Sequence, residues 1–299
     1  MTGPDADAPR PLGAGEGEAV TVAFSDHQAD VCGIARVGLA MTDAGLRTSG
    51  LGLLFAGGEP VAVRAGSGEP DDSSGAWAGA TAAGVETEVI EPFRTWSVLF
   101  GSEDGRHGFD LELTALSPVA VLPEDSAAGR LGGMTGYDQL VAARGTVTVD
   151  GRDRDFSGTG QRGHSRGRPD WSKLSRARTV GVWWGDGSGV TATAIRPRGS
   201  TGLKDEAVHA VVLAGADHEP VAVRDPRLST TYDSGGRQKN AGIELWMTGD
   251  DDEQPTRLSG EVACGTTLDL GQLRLDCAFF TWSDGIRHGV GRYDLMVSS

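Results

Sequence analysis

Short apolar or alternating segments, separated by Gly, Asp and Ser, follow one another along the chain from Glu18 onward. Within residues 20–24, 147–151 and 190–194, apolar residues alternate with polar or small ones at a period of two. Such segments, about 8 to 12 residues apart and separated by Asp-Gly turn pairs, are typical of an antiparallel sandwich or barrel. No stretch of about 12 residues has helical periodicity. We therefore predict an all-β protein.

A six-residue sequence occurs twice, letter for letter, at Glu59–Arg64 and at Glu219–Arg224. Each copy follows an apolar segment, and the copies lie 160 residues apart. The repeat is consistent with a duplicated β-barrel in which each copy carries a hairpin. Chance similarity in an Ala-, Val- and Arg-rich sequence is the alternative. Pro60 and Pro220 fit the starts of strands, where a missing N–H group is tolerated.

The composition changes at two places, which suggests domain boundaries. Residues 1–18 are rich in Gly, Pro, Ala and acids and contain little to bury, so we expect a disordered tail. The segment 118–136 has two prolines, several glycines and no alternation, which is typical of a linker. We therefore predict an N-terminal β-domain over 19–133 and a C-terminal β-domain over 134–299.

Composition and charge exclude several classes of function. Gly supplies 46 of 299 residues, about twice the usual share, which argues against a mostly helical protein. The net charge of −15 would repel phosphate backbones, so we expect no nucleic-acid partner. No apolar run approaches the roughly 18 residues that span a bilayer, and the first residues lack the apolar centre of a secretory signal.

The three cysteines are Cys32, Cys264 and Cys277, and none has CxxC spacing. We therefore expect neither a disulfide framework nor a zinc site. A reducing cytoplasm is the expected setting of the protein.

The densest group of charged residues lies at 161–171, directly after a predicted hairpin strand. Arg162, His164, Arg166 and Arg168 occur there at every second position, between small residues. On a strand, the first three would share one face, which is costly in a core unless carboxylates or a ligand compensate the charge. One interpretation is the polar lining of a barrel mouth, with His164 as a hydrogen-bond donor or proton carrier. The alternative is an exposed loop whose arginines pair with nearby aspartates.

A pattern of single residues extends through the same region: Gln139, Gly145, Val149, Gly151, Gly160, Arg162, His164, Ser165, Gly167 and Trp171. This pattern resembles the AttH-like and carotenoid hydratase-like family of double lipocalin-type proteins, and residues 282–293 resemble the closing strand of that family. The resemblance covers residues 19–299 and implies two lipocalin-like β-domains with a lipophilic small molecule bound in or between them. Family activities include hydration of isoprenoid double bonds. Related fungal proteins catalyse Diels–Alder-type cyclisations of polyketide chains without any cofactor.

Departures from the family pattern affect the expected reaction. Gly163 stands where the pattern has Asp, and Arg166 stands where it has Trp. The second Arg of the pattern falls on Pro169, so Arg168 matches only with a shift of one position. Alkene hydration needs a desolvated acid, and the missing Asp weakens that expectation unless the acid lies elsewhere. Cyclisation needs only an orienting pocket and one or two hydrogen-bond donors, so we rank it higher. The predicted catalytic residues are Gln139, Arg162, His164 and Arg168.

Aromatic residues are candidates for the apolar wall of the substrate site. Trp183 and Trp184 are adjacent, so on a strand they point to opposite faces, and one of them is expected in the core. The other is expected to form the wall together with further tryptophans. For any single Trp, plain packing is the alternative. The predicted substrate-binding residues are Tyr137, Trp96, Trp171, Trp183, Trp184, Trp246 and Trp282.

Other chemistries receive little support from the sequence. None of the six histidines forms an HxxxH or HxH pair, so we expect no metal site. Residues 163–167 match the Gly-x-Ser-x-Gly pattern of serine hydrolases, and residues 158–163 match GxGxxG. Both motifs require a following helix, and no helical pattern follows either of them. Ser165 is therefore a weak candidate nucleophile, and we expect no dinucleotide or other cofactor.

The leading hypothesis is a cofactor-free cyclase of the pericyclase or Diels–Alderase type, active in natural-product biosynthesis on a lipophilic polyketide, polyene or isoprenoid bound between two β-domains. A hydratase of the isoprenoid or carotenoid type is an alternative. A non-catalytic carrier would use the same apolar pocket and return its ligand unchanged. In a third interpretation the motif is structural, and Arg162 and Arg168 tie strands to acidic or carbonyl partners. The sequence leaves the substrate and the oligomeric state open.

Overall fold

The protein consists of two curled antiparallel sheets. The computed structural model describes residues 7–28, 30–70, 77, 80–202, 205–247 and 254–298. These residues form a ten-stranded sheet, a nine-stranded sheet and one short helix. Each sheet encloses an apolar core of its own. The predicted all-β class and the two lipocalin-like β-domains in tandem are confirmed.

The first half of the chain, and somewhat more, forms the first sheet. Its strands are β1 (Gly17–Ser25), β2 (Val31–Thr42), β3 (Gly45–Ala56), β4 (Glu59–Gly68), β5 (Val85–Glu91), β6 (Thr95–Gly101), β7 (Gly108–Ala115), β8 (Ala120–Leu122), β9 (Met134–Val149) and β10 (Arg152–Gly167). They lie in the order β4-β3-β2-β1-β10-β9-β7-β6-β5, and β8 also pairs with β9. The long hairpin of β9 and β10 therefore joins the meander β1–β4 to the rest of the sheet.

The remaining strands form the second sheet. They are β11 (Leu174–Trp183), β12 (Ser188–Pro197), β13 (Ala207–Ala214), β14 (Val221–Ala222), β15 (Asp225–Tyr232), β16 (Gln238–Trp246), β17 (Thr256–Asp269), β18 (Leu273–Ser283) and β19 (His288–Ser298). Their order is β14-β13-β12-β11-β19-β18-β17-β16-β15.

The helix α1 (Ala127–Gly132) lies between β8 and β9. The Ser126 side chain accepts a hydrogen bond from the Gly129 N–H and so caps the first turn. Gly133, with φ of 60°, ends the helix in the left-handed region that favours glycine. Among the described residues, no helix has the length and apolar character needed to cross a membrane.

Alternation along the strands gives each sheet two apolar faces. In β1, Val20, Val22 and Phe24 point into the first barrel, whereas Ala23 packs on the opposite side, against the second sheet. Because residues two apart on a strand share a face, the inner positions fill the barrel and the outer positions build the contact between the barrels.

A third apolar core lies between the two sheets. Phe55 and Phe279, from opposite sheets, are fully buried and meet edge to face with 5.9 Å between ring centres. Trp183 donates its Nε1 hydrogen to Ser25 Oγ at 3.1 Å across the same contact. Because burial of aromatic surface is strongly favourable, this core holds the two barrels together.

The two sheets divide later in the chain than the sequence analysis expected. Met134–Gly167 forms β9 and β10 of the first sheet, and the second sheet begins at Leu174. The segment 118–136 contains β8 and α1, after which the chain returns to the first sheet. Its prolines and glycines therefore belong to a connection between two strands of the same barrel. A change in composition alone does not distinguish such a connection from a domain boundary.

Part of the predicted disordered tail packs on the first barrel. Residues 1–6 lie outside the described residues, but Asp7 is fully buried and β1 begins at Gly17. Leu12 packs against the first apolar core. The composition of this segment suggested little to bury, and the buried group is a carboxylate whose partners are described below.

The two copies of the repeated hexapeptide occupy equivalent places. Glu59–Arg64 opens β4, at one edge of the first sheet, and Glu219–Arg224 contains β14, at one edge of the second. In both sheets the first four strands follow one another as a meander that ends at this edge. The placement favours duplication of a β-unit over chance similarity.

Candidate functional site

Several groups of charged and polar side chains are buried or half-buried in the described residues, and three of them are clusters around an arginine. Each buried charge needs a partner because burial of an unpaired charge is costly. The first-barrel cluster comprises Asp7, Glu18, Tyr137, Gln139, Arg162 and His164. The second-barrel cluster comprises Arg178, Glu206, Thr230 and Tyr293. The cleft cluster, between the two sheets, comprises Arg36, Asp138, Gln161, Arg292 and Asp294.

Arg162 is the centre of the first-barrel cluster. Its two Nη groups donate to the two carboxylate oxygens of Asp7 at 2.9 and 3.1 Å, and its Nε donates to Gln139 Oε1 at 2.9 Å. The guanidinium carbon lies 4.5 Å from the ring centre of Trp96. Tyr137 donates its hydroxyl hydrogen to Asp7. This bidentate ion pair inside the barrel is a strong, geometrically fixed interaction.

The Asp7 carboxylate accepts further hydrogen bonds from Trp96 Nε1 at 3.0 Å and from the Phe93 backbone N–H at 2.6 Å. Burial by itself raises the pKa of Asp7, but the hydrogen bonds and charge of Arg162 outweigh it, so the pKa lies below the ordinary value. Burial raises the pKa of Tyr137, so the phenol stays protonated and remains a donor. Asp7 is therefore held as a fully hydrogen-bonded carboxylate.

His164 lies beside this ion pair. Its Nε2 is 2.8 Å from Glu18 Oε1, and its Nδ1 is 3.4 Å from the Tyr137 hydroxyl. The other Glu18 oxygen accepts a hydrogen bond from the Arg10 backbone N–H at 2.9 Å. The Trp77 ring contacts the imidazole edge to face at 5.4 Å. The imidazole is thus enclosed, with partners for both ring nitrogens.

The structure brings together only some of the predicted site residues. Gln139, Arg162 and His164 meet inside the first barrel, with Tyr137 and Trp96 around them. Arg168 is exposed and lies against Gly15, outside the barrel.

The other predicted tryptophans do not form one wall. Trp171 is half-buried beside α1, and Trp183 packs between the sheets. Trp184 and Trp282 are buried in the core of the second barrel, and Trp246 is half-buried with the Arg227 guanidinium over its ring. Four of these five tryptophans are thus distributed over three separate apolar clusters.

The second-barrel cluster resembles the first. Arg178 forms an ion pair with Glu206 and donates to Thr230 Oγ1 at 2.9 Å and to the Tyr293 hydroxyl at 3.3 Å. Here too the Arg projects into a barrel beside a carboxylate and a tyrosine. Each barrel thus contains a buried Arg–carboxylate pair.

The cleft cluster lies between two facing rows of residues, one on each sheet, and most of these residues are partly exposed to solvent. In the first sheet the row crosses neighbouring strands through Arg36, Thr21, Gly163 and Asp138. In the second sheet it runs through Cys277, Asp294, Thr179 and Thr193. All of these except Cys277 are partly exposed, whereas the next row inward, Ile34, Ala23, Gln161 and Leu140, is buried. Gln161 of that inner row touches Gly181 of the second sheet. The two sheets therefore enclose a cleft with a polar floor.

Several buried atoms of the cleft cluster have no hydrogen-bond partner within the described part of the chain. They are both amide atoms of Gln161, Oδ1 of Asp294 and Nε of Arg292. Arg292 Nε is 2.8 Å from Asp294 Oδ2, so this ion pair is close but not aligned as a hydrogen bond. Buried polar atoms are nearly always satisfied in folded proteins, and exceptions indicate a place that a ligand or water completes.

The two carboxyl groups of the cleft cluster are shifted toward the neutral form. Burial raises the pKa of Asp138, and the charge of Arg292 and the nearby Gln161 offset only part of this effect. Burial likewise raises the pKa of Asp294, against the effects of Arg292 and Cys277. A raised pKa keeps a carboxyl group protonated to higher pH, and a protonated carboxyl group can donate a proton to a substrate.

Gly163 stands where the family pattern has Asp, and Asp138 lies directly beside it. The two residues are direct cross-strand partners in β9 and β10. A Cβ atom on Gly163 would lie 2.5 Å from Asp138 Oδ1, so the carboxyl group covers the space that a side chain at 163 would enter. The neighbouring strand therefore supplies an acid on this face.

The site residues predicted from the sequence are direct chain neighbours of the cleft residues. Tyr137 and Gln139 flank Asp138, and Arg162 follows Gln161. Because successive strand residues face opposite sides, the named side chains lie inside the first barrel and the unnamed ones face the cleft. The remaining members, Arg36, Arg292 and Asp294, could have been found as isolated charges inside otherwise apolar strands.

The fold and the cleft together define a protein with two lipocalin-like barrels and a polar cleft between them. The chain belongs to the family described as DUF7064, a domain of unknown function, which it matches over residues 3–296. No curated protein matches the chain significantly.

Solved structures share this fold over nearly the whole chain. An AttH-like protein from Nitrosomonas europaea is 14% identical with a TM-score of 0.64, covering 95% of this chain and 92% of that one. CghA is 12% identical with a TM-score of 0.63, covering 95% and 88%. Kievitone hydratase from Nectria haematococca is 10% identical with a TM-score of 0.58, covering 94% and 89%. The resemblance to AttH-like and hydratase-like double lipocalin proteins is thereby confirmed at the level of the fold.

Proposed function

We propose that this protein is a cofactor-free enzyme in which a carboxyl group of the cleft donates a proton to an unsaturated small molecule. The observation that carries the proposal is the cleft cluster itself. It combines two carboxyl groups of raised pKa, on opposite walls, with buried polar atoms that lack partners. Perturbed carboxyl groups in a cleft are typical of acid–base sites.

Asp138 is the proposed acid. Its proton adds to a carbon–carbon double bond or to a carbonyl oxygen of the substrate, and Asp138 becomes a carboxylate. Arg292 lies close enough to lower the pKa of Asp138 and so stabilises that carboxylate. The positive charge that forms on the substrate is then captured, and the proton finally returns to the carboxylate.

Capture by a second double bond of the same molecule gives a cyclisation, which needs only a folded substrate and no further reactant. This is the leading reaction. It keeps the cyclisation predicted from the sequence but starts with proton transfer, whereas the predicted Diels–Alder-type reaction needs only a pocket and hydrogen-bond donors. Ile34 and Leu140, in the buried row that contains Gln161, and Phe279 of the facing sheet make the base of the cleft apolar around its polar groups, which suits the lipophilic part of a polyene or isoprenoid.

Hydration is the second candidate, and Asp138 is the observation that favours it. Hydration was the less favoured prediction because position 163 lacks the acid of the family pattern. The structure places Asp138 directly beside that position, so an acid is present. Capture of the substrate cation by water, followed by return of one proton to Asp138, adds one water molecule in all. A fold neighbour is by its name a hydratase, kievitone hydratase, and CghA has been solved with Sch210972.

The carrier alternative has less support. Phe24, Trp96 and Phe100 fill the first barrel, and Phe280 and Trp282 fill the second, all of them buried. A ligand enclosed inside a barrel, as in a carrier of lipocalin type, would have to displace these side chains. In the cleft, an inert apolar ligand would lie against charged groups, which is costly.

The test is a product analysis by mass spectrometry on a panel of linear isoprenoid alcohols and polyene carboxylic acids. Cyclisation gives a product of unchanged mass and altered retention, and hydration gives a product heavier by one water. Asp138→Asn is expected to lower kcat by about 10²- to 10⁴-fold, the usual contribution of a general acid. The control is Asp155→Asn, which changes an exposed acid of β10.

Equal activity of Asp138→Asn and wild type would show that Asp138 is not the acid. Binding of panel compounds in the cleft without conversion would assign the protein to the carriers instead.

A further inference from the structure

Five hydrogen-bond donors converge on the carboxylate of Asp7 inside the first barrel. They are Arg162 Nη1 at 2.9 Å, Arg162 Nη2 at 3.1 Å, Trp96 Nε1 at 3.0 Å, the Phe93 N–H at 2.6 Å and the Tyr137 hydroxyl. The donors belong to β6, β9, β10 and the turn before β6, whereas the carboxylate comes from outside the sheet, ten residues before β1. The barrel therefore builds a carboxylate-binding site whose occupant is a separate segment.

Arg162 also has contacts that do not involve Asp7. Arg162 is fixed by Gln139, whose amide group donates to the carbonyl oxygens of Phe93 and Ser117 at 2.9 and 2.8 Å. The rings of Trp96 and Tyr137 lie within 4.5 and 5.5 Å of the guanidinium carbon. Donors held by the scaffold need no reorganisation to receive a ligand, which favours binding.

Residues 7–12, which we call the strap, cover this end of the barrel. Ala8 and Pro11 are exposed. The Asp7 carbonyl accepts from Trp77 Nε1 at 2.9 Å, and the Pro11 carbonyl accepts from Arg166 at 2.8 Å. A cavity of about 20 Å³ lies beside the strap, which is room for one water. Withdrawal of the strap would free the carboxylate position and join it to this cavity.

We propose that the first barrel contains a binding site for small monocarboxylates, that Asp7 of the strap occupies it, and that a ligand carboxylate binds there by replacing Asp7. The planar fork of Arg162 matches a carboxylate. Arg162 is the cation at the centre of the site, and Glu18 is paired with His164 next to it. A second negative charge on the ligand would therefore meet Glu18. The aromatic surroundings suit a flat or apolar group attached to the carboxylate. This site is distinct from the cleft and does not depend on the proposed reaction.

The test is chemical rescue of Asp7→Ala in the full chain, with acetate and benzoate as probes. The variant leaves Arg162 buried without its counter-ion, so its melting temperature is expected to fall. Benzoate and acetate are expected to raise it again in a saturable way. Chloride at matched ionic strength is expected to be at least about tenfold less effective, because it cannot form the paired hydrogen bonds.

Two controls separate the site from general salt effects. Glu16→Ala removes another acid of the same region, whose partner Arg166 lies 2.8 Å away at the surface, and it is expected to show no rescue. Asp7→Ala combined with Arg162→Gln removes the anion-binding group and is expected to abolish rescue. A melting temperature of Asp7→Ala that no carboxylate changes would mean that Asp7 is a structural counter-ion only.

Replacement of the strap can be measured in the wild-type chain, whether or not the variants fold. Hydrogen exchange is followed with and without a high concentration of benzoate. We expect faster exchange at the Arg10 amide, which the strap holds against Glu18, and unchanged exchange in β9 and β10. If benzoate leaves the exchange rate of the Arg10 amide unchanged, the proposal is overturned. This holds whether benzoate binds elsewhere on the protein or does not bind at all.

Discussion

Adjacent residues on a strand of this protein face different environments, because successive side chains point to opposite sides of the sheet. Gln161 and Arg162 are neighbours in β10, yet Arg162 hydrogen-bonds inside the first barrel, whereas the Gln161 amide atoms in the cleft have no hydrogen-bond partner among the described residues. The Arg162 ion pair is completed by a carboxylate of the same chain, whereas unsatisfied buried groups are typical of a site that receives a ligand or water. The distinction assigns different roles to adjacent residues.

The raised pKa of Asp138 gives a prediction for stability. Since this pKa is higher in the folded than in the unfolded protein, the folded state binds more protons between the two values, and stability falls as pH rises through that window. Asp138→Asn removes this loss. We expect the variant to be more stable than wild type at pH 8, by about 1.4 kcal/mol for every pH unit that separates the folded from the unfolded pKa, and similar to it near pH 3.

Chemical unfolding at the two pH values is the measurement, with Asp155→Asn as the exposed control. A variant that is less stable at both pH values would show that Asp138 is held as a structural carboxylate. Gain of stability together with loss of activity is the combination expected of a catalytic acid.

At the scale of elements, the hairpin of β9 and β10 positions both the first-barrel cluster and one wall of the cleft. Its turn is formed by Asp150 and Gly151, with φ of 54° and 72°. Positive φ at both central residues is the type I′ geometry that matches the twist of a β-hairpin. The Asp-Gly pair was identified as a turn from the sequence, and this local rule succeeded because turn chemistry depends on adjacent residues only.

Gly151→Ala tests this turn. A Cβ atom at 151 would meet nothing within 4 Å, so the cost arises from the backbone conformation alone. We expect a loss of about 1 kcal/mol in the free energy of unfolding, with no change in the contacts of Arg162. Equilibrium unfolding in urea measures the loss, and Gly105→Ala, at another open turn with φ of 67°, is expected to behave alike. A neutral effect at both positions would contradict the argument.

At the scale of the whole molecule, the two barrels share one apolar core. Phe279 of the second sheet is fully buried against Phe55 of the first, and Trp183 bonds to Ser25 across the same contact. Part of the outer face of each sheet is thus buried by the other. We infer that neither barrel unfolds independently, because separation would expose this core to water.

Phe279→Ala measures the coupling. Removal of a fully buried Phe is expected to cost about 3–5 kcal/mol and to shift a single unfolding transition in guanidinium, observed by tryptophan fluorescence. Leu99→Ala, which truncates an exposed side chain of β6, is the control and is expected to have little effect. Two separate transitions, of which only one moves, would show that the barrels unfold independently.

The sequence by itself determined the β-class, several turns and the strand that carries Arg162 and His164, because alternation and turn residues are local properties. It did not determine which face of a strand meets which core. Both faces of these sheets are apolar over much of their length, so a pattern of period two does not identify the face that meets the cleft. Tyr137 and Gln139 were therefore identified while Asp138 was not.

Only the tertiary structure decided the partners of the buried charges. Asp7 and Arg162 are 155 residues apart, and Asp138 and Asp294 come from different sheets. The energy of a buried charge depends on the distance to its counter-ion and on the exclusion of water, and both are set when the sheets curl and pack. A segment that composition assigned to a disordered tail thus supplies the carboxylate at the centre of the first barrel.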